Sequence, residues 1–143
     1  MNTTQADSNN TVSFSFAVPI SISFDTFSAI AQDILGKKYT LDVLFARQNQ
    51  AQKLNIQYRN KTYIPNVLAF PLDVHTGQIV ITPAVARKEA RDFNHTFDEH
   101  VIFLFIHGNE NLTIHFKYFV FFTISFCNTH KHTELGWIRH IHF

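Results

Sequence analysis

The chain has 143 residues, of which 45% are hydrophobic and 16% are charged, and this composition is typical of one globular domain. Its 12 basic and 11 acidic residues give a formal net charge of +1, which argues against a large basic surface for duplex nucleic acid. The single cysteine, Cys127, excludes an internal disulfide and a zinc site built only from thiolates.

The two ends of the chain differ in character from its middle. Residues 1–11 are polar and carry neither the basic residues nor the apolar run of a secretory signal, so they predict a disordered N-terminus. The most apolar stretch, 112–126, is interrupted by His115 and Lys117, whereas a membrane-spanning helix needs about 20 apolar residues. We therefore expect no membrane partner, and the single cysteine favours the cytoplasm as the location.

The first part of the chain alternates between the spacing of a strand and that of a helix. Alternating apolar residues over 12–23 predict an extended segment, which Pro19 interrupts or places at a sheet edge. Apolar residues then recur at helical spacing over 24–35, and Gly36 follows as a stop signal. β-branched and aromatic residues over 38–46 predict a strand.

The same alternation continues through the middle of the chain. Asn49 is positioned to cap a second helix, and strands are predicted over 63–71, where proline stands near both ends, and over 77–81. A threonine followed by proline predicts a helix over 82–93. A capping-box pattern opens a further helix over 96–107. Strands that alternate with helices predict an α/β or α+β arrangement around one sheet.

The pattern changes after Gly108. Residues 112–126 have no clear amphipathic helical period and are rich in strand-forming residues, so they predict a strand. Residues 128–143 form a polar tail that carries several histidines. We therefore expect an atypical C-terminal segment after the alternating strands and helices.

Three groups of residues, in this order along the chain, resemble one known family. They are 54–61 (LNIQYRNK) with 65–71 (PNVLAFP), 77–83 (GQIVITP) with Val85-Ala86 and Glu89-Ala90, and Glu99-His100 with 104–108 (LFIHG). Together they resemble the YbeY family of bacterial metal-dependent endoribonucleases over about residues 40–108. The resemblance implies a small mixed sheet packed with helices in a single domain.

The resemblance also implies how the chain is organised and what it does. It divides the chain into a disordered N-terminus (1–11), a YbeY-like domain (12–108) and a divergent tail rich in phenylalanine and histidine (109–143). The implied activity is that of a hydrolase, a metal-dependent endoribonuclease that cleaves single-stranded RNA during ribosomal RNA maturation. The implied partners are ribosomal RNA and the ribosome, with no DNA.

The family binds zinc through three histidines in the pattern H-G-x-x-H-x-x-G-x-D-H, which leaves a coordination position open for water. His107 and Gly108 match the opening pair, so the resemblance assigns His107 as a metal ligand. Asn111 and Lys117 stand at the second and third ligand positions and are not expected to bind, because an amide is a poor zinc ligand and an ammonium is none. Ile114 replaces the turn glycine.

Two further groups of residues bear on the chemistry. Arg59 matches the family's arginine near the metal, where a guanidinium would stabilise charge that develops on a phosphodiester; the alternative is a surface arginine at a helix end. Cys127, His130 and His132 form a C-x-x-H-x-H pattern that would supply zinc ligands, and the alternative is a loosely ordered tail.

Three functional hypotheses remain open from the sequence. The first is the metal-dependent endoribonuclease, either active or inactivated by the incomplete three-histidine motif. The second is a non-catalytic module that binds RNA or the ribosome without cleaving. The third is a frameshifted or chimeric product in which residues 109–143 fail to complete the fold and expose phenylalanine-rich surface. A bound zinc ion would favour the first hypothesis over the other two.

Overall fold

A mixed five-stranded sheet forms the centre of the protein in a computed structural model that describes residues 4–6 and 12–126. The strand order is β1-β2-β3-β5-β4, in which β2, β3 and β5 run parallel while β1 and β4 pair antiparallel at the two edges. The predicted single α/β domain with a small mixed sheet is thereby confirmed. The strands are β1 Thr4–Ala6, β2 Val12–Phe16, β3 Thr40–Phe45, β4 Val67–Asp73 and β5 Thr76–Ile81.

Helices cover both faces of this sheet, and the alternation of side chains along the strands explains why. One face presents Val43, Ile79 and their alternate neighbours to a core that also contains Phe27, Ala86 and Phe105. The opposite face presents Leu44, Leu68 and Val80 to Ala51 and Leu54. The helices are α1 Phe27–Leu35, α2 Gln48–Arg59, α3 Pro83–Asp92 and α4 Phe97–Phe126, so that α2 lies opposite α1, α3 and α4.

Several predicted element ends shift in the structure for local reasons. Asn49 does not cap α2, because that helix begins one residue earlier and the Asn49 side chain accepts a hydrogen bond from the Gln50 amide. The strand predicted over 63–71 begins at Val67, the first residue that pairs with β5, opposite Ile81. Pro71 is tolerated because β4 is an edge strand.

The prediction of a strand over 112–126 is wrong, because α4 continues through this stretch to Phe126. Residues 109–126 contain neither glycine nor proline, so nothing in the local sequence ends a helix that the capping box has started. The buried stripe of α4 also extends past Gly108 to Leu112. α4 therefore runs across the domain boundary predicted at residue 108.

The N-terminal segment also departs from its prediction. Thr4–Ala6 lie within residues 1–11, for which we predicted disorder, and they form β1 by pairing antiparallel with β2. Backbone hydrogen bonds to the open edge of β2 make this pairing possible without apolar side chains.

Glycine allows α4 to approach the sheet closely at two points. A Cβ atom added to Gly108 would lie 3.0 Å from the Ile79 Cδ1 atom, and one added to Gly77 would lie 3.1 Å from a Leu112 methyl carbon. The Tyr39 hydroxyl lies beside Gly77 as well. Burial, and secondarily the charge of Asp73, raise the pKa of Tyr39 above its ordinary value.

Among the described residues, no helix has the length and apolarity needed to cross a bilayer.

Replacing Asn109 with leucine is expected to raise the free energy of unfolding by about 1–3 kcal/mol. Asn109 is fully buried in α4, where its Nδ2 atom donates to the Phe105 carbonyl at 2.7 Å while its Oδ1 atom has no partner among the described residues. Leucine removes this unsatisfied oxygen and fills similar space. Urea unfolding followed by circular dichroism measures the change.

Asn109→Ala serves as the control for this substitution. It also removes the orphaned oxygen, but it leaves a cavity, so the gain should be smaller than for leucine. A leucine variant less stable than the parent chain would contradict the expectation.

Candidate functional site

His107 lies in the third turn of α4 and is partly exposed. Its ring stacks on the Phe103 ring one turn earlier, with a centroid separation of 6.4 Å and an angle of 7° between the ring planes. Phe103 is 47% exposed, so the pair lies on the outer side of the helix. The residue that the resemblance assigns to the metal is therefore at an accessible position.

Asn111, at the second ligand position, makes a hydrogen bond within α4. Asn111 is buried, at 3% exposure, and its Nδ2 atom donates to the His107 carbonyl at 2.8 Å. This is a hydrogen bond back to the preceding turn of the same helix. The Asn111 amide is therefore used within α4, at the position where the family pattern has a histidine.

The third ligand position, residue 117, lies far from His107 because the helix continues past Ile114. The family pattern requires a turn after its glycine, but Ile114 continues α4, so position 117 lies about 15 Å along the axis from position 107. Within the described part of the chain, no group of three histidine, cysteine or acidic side chains has the arrangement of a metal site. The side chains that α4 carries up to residue 114 do not provide a donor set that fits zinc. The side chain of His115, and Cys127, His130 and His132, lie outside the described residues.

Arg59 is held at the C-terminal end of α2 by two side chains. Its Nη1 atom donates to the Asn55 Oδ1 atom at 3.1 Å and to the Tyr63 hydroxyl at 2.9 Å, and its guanidinium lies 5.9 Å from the centre of the Tyr63 ring. Asn55 is fully buried and donates to the Tyr63 carbonyl. The guanidinium is therefore fixed in place, as electrostatic stabilisation of a phosphate would require.

Arg59 and His107 belong to helices that cover opposite faces of the sheet. Arg59 belongs to α2, whereas His107 belongs to α4 on the opposite face of the sheet. The segment 63–66 links the two sides, because Arg59 donates to the Tyr63 hydroxyl and Asn66 donates to Glu89 of α3. Sequence spacing alone cannot show which face of the sheet each helix covers.

A polar cluster around the buried His100, two turns before His107 on α4, was not predicted from the sequence. The His100 Nε2 atom lies 2.9 Å from the Glu89 Oε2 atom, and the His100 Nδ1 atom lies 3.2 Å from the Nδ1 atom of His95. Asn66 donates to both carboxylate oxygens of Glu89, at 3.1 and 3.2 Å. His100 itself is fully buried. A histidine on the apolar stripe that contains Val101 is the signal that would have revealed it.

Aromatic rings surround this cluster on its outer side. Phe93 is 57% exposed, and its ring stacks on those of His95 and His100 at 5.9 and 5.4 Å. Phe103 contacts the same two imidazoles at 6.0 and 5.6 Å and also stacks on His107. The rings thus connect the buried cluster with the candidate metal ligand along one surface.

The capping box that opens α4 is confirmed and fixes the loop carrying His95. The Thr96 amide donates to the Glu99 Oε2 atom at 2.8 Å, and the Glu99 amide donates to the Thr96 hydroxyl at 3.2 Å. The hydrogen bond from the Thr96 backbone amide, and secondarily the Thr96 side chain, lower the pKa of Glu99 below its ordinary value. Thr82, by contrast, precedes α3 as predicted, but its side chain makes no capping hydrogen bond.

Comparison with known proteins gives a consistent result. A family model described as Endoribonuclease YbeY matches residues 9–115, beyond the 40–108 from which we identified the resemblance. A protein of Mesomycoplasma hyopneumoniae named Endoribonuclease YbeY is 35% identical over 89 residues, 55% of this chain and 59% of the relative. The Finegoldia magna protein of the same name is 29% identical over 86 residues, 55% of this chain and 56% of the relative.

A solved structure is also similar to part of the chain. It is the solution structure of a Thermotoga maritima protein, 28% identical, with a TM-score of 0.46 and coverage of 62% of this chain and 63% of that one. The chain spans less than two thirds of the length of the curated relatives that it matches.

Proposed function

Because the chain belongs to the YbeY endoribonuclease family, we propose that it cleaves single-stranded RNA as a hydrolase in the maturation of ribosomal RNA. The observation that carries the proposal is the fixed guanidinium of Arg59, which lies within the residues that the family model matches. A guanidinium held by Asn55 and Tyr63 is ready to oppose the charge that develops on a phosphate oxygen. The proposed setting is the cytoplasm, with the ribosome as partner.

Zinc is the metal that the family resemblance implies, and the donors on α4 do not support it. His107 is a suitable ligand, but the Asn111 amide is buried and bonded to the helix backbone, and position 117 is too far along the axis. We therefore derive no catalytic step through zinc. What His107 offers by itself is an accessible imidazole beside Phe103.

A non-catalytic RNA-binding module is the second candidate, and the burial of Asn111 favours it. Loss of the second ligand would abolish metal-dependent cleavage while leaving Arg59 and the surrounding surface able to contact phosphate. This candidate predicts binding of single-stranded RNA with no cleavage.

The test uses the purified chain and an end-labelled single-stranded RNA. The endoribonuclease proposal predicts internal cleavage products, and a duplex RNA and a DNA of the same sequence should stay intact. Binding without cleavage selects the second candidate. A chain that neither binds nor cleaves the RNA contradicts both candidate functions.

Zinc content is expected to fall well below one ion per chain, because a single imidazole cannot hold zinc against water. Elemental analysis of the purified protein measures this, and a His107→Ala variant should give the same low value. One zinc per chain that is lost in the variant would contradict the expectation, since other residues or a second chain would then complete the site.

A further inference from the structure

Four polar side chains from four separate parts of the fold are joined by hydrogen bonds. Asn66 precedes β4, Glu89 belongs to α3, His95 lies in the loop before α4, and His100 lies in its first turn. The joined atoms are Asn66 Nδ2 with both Glu89 oxygens, Glu89 Oε2 with His100 Nε2, and His100 Nδ1 with His95 Nδ1. We call this series the Glu89–His100–His95 relay.

The direction of each hydrogen bond follows from what each group can donate. The Asn66 Oδ1 atom accepts from the Val67 amide, so its Nδ2 atom faces Glu89 and donates to the carboxylate. A carboxylate only accepts, so His100 donates from Nε2. In a neutral His100, Nδ1 then carries a lone pair and accepts from the Nδ1–H group of His95.

These hydrogen bonds determine which ring nitrogen of His95 carries the proton. If its Nδ1 atom carries the proton, its Nε2 atom is a proton acceptor. When that atom takes up a proton, the positive charge lies in a chain that ends on the Glu89 carboxylate, 2.9 Å from His100. This is the logic of a carboxylate that orients an imidazole and stabilises the imidazolium it becomes.

His95 also lies on the right surface for this chemistry. It is partly exposed, and its ring contacts Phe103, which in turn stacks on His107. His100, in contrast, is fully buried and cannot meet a substrate. His95 is the imidazole of the relay that an incoming phosphodiester can reach, while Glu89, whose side chain is 29% exposed, accepts from Asn66 and His100.

We propose that the relay makes His95 Nε2 the proton acceptor for the attacking water in phosphodiester hydrolysis, with Glu89 and His100 as positioning residues. This inference rests on the proposed function. The water oxygen forms a bond to phosphorus as its proton moves to His95 Nε2, and the bond from phosphorus to the leaving ribose oxygen breaks. The leaving oxygen is protonated by solvent water, and the imidazolium returns its proton to solvent.

The tautomers of the histidines provide a test that is independent of activity. Long-range nitrogen–proton NMR spectra of the 15N-labelled full chain, recorded where the imidazoles are neutral, should show His95 protonated at Nδ1 and His100 at Nε2. A His100→Phe variant should shift His95 towards the Nε2-protonated form. His75, exposed in the turn between β4 and β5, is the internal control and should not change.

The wild-type spectrum alone decides whether the relay exists, so it does not depend on the variant folding. A His95 protonated at Nε2 in the wild-type chain overturns the relay. His95 protonated at Nδ1 supports it, whatever the cleavage assay shows.

Kinetics test the catalytic role of His95. His95→Gln should lower kcat for cleavage of single-stranded RNA about 100-fold with little change in KM, and His75→Gln should leave both unchanged. A His95→Gln variant as fast as the parent overturns the role of His95 while the proposed function stands. A parent chain that cleaves no RNA overturns the proposed function and the catalytic role together, and the tautomers still decide the relay.

Discussion

Arg59→Ala is expected to lower the rate of RNA cleavage about 100-fold, mainly through kcat, because alanine removes a fixed donor that opposes charge on the phosphate. The guanidinium is held by Asn55 and Tyr63 before any substrate arrives, so little reorganisation is needed during the reaction. Arg59→Lys should recover only part of the rate, since an ammonium keeps the charge but loses the planar arrangement of donors. Steady-state kinetics on a single-stranded RNA measure both variants.

A matched control for this variant is Arg91→Ala. Arg91 also stands in the last turn of a helix, α3, and it is exposed. Its removal should leave kcat and KM unchanged. An equal loss in both variants would contradict a specific role for Arg59 and would indicate a general effect of positive charge.

Phe105→Ala is expected to lower the free energy of unfolding by about 3–5 kcal/mol, a large fraction of the stability of a domain of this size. Phe105 is fully buried where α4 crosses α1, and its ring centre lies 4.6 Å from that of Phe27. Alanine would leave a cavity that the two helices and the sheet cannot close. The expected fall in Tm is on the order of 10 °C.

Phe103→Ala controls for the loss of a phenyl ring from the same helix. Phe103 is 47% exposed and contacts other rings at the surface, so its removal should cost less than about 1 kcal/mol. Thermal and urea unfolding of both variants provide the comparison. Equal losses at the two positions would show that burial of Phe105 is not what stabilises the packing of α1 on α4.

The sequence predicted those elements whose signals are local. The helical spacing before Gly36 and the reciprocal hydrogen bonds of Thr96 and Glu99 depend on residues a few positions apart, and both appear in the structure. The stretch after Gly108 was assigned wrongly because its aromatic and β-branched residues favour strands only weakly. A helix already started and packed on the sheet outweighs that preference.

The candidate site was predictable only in part, because its groups meet through the tertiary fold. His107 was located from its motif, yet the hydrogen bond that withdraws Asn111 from metal binding depends on its burial. The apolar stripe of α4 indicates that His100 is buried, but it does not show that Glu89 of α3 is the residue that His100 contacts. The sequence also does not show that the helices carrying Arg59 and His107 cover opposite faces of the sheet.

The strand order also determines when the sheet becomes complete during synthesis. β5 is the last strand of the described part of the chain, yet it lies between β3 and β4. When a nascent chain has emerged only as far as β4, strands β3 and β4 are present but β5, the strand that pairs with both, is missing. The short β4–β5 hairpin can form at once, but its pairing with β3 must close a loop of more than 30 residues. We expect the core beneath α1 and α4 to consolidate only after that late, central strand has been inserted.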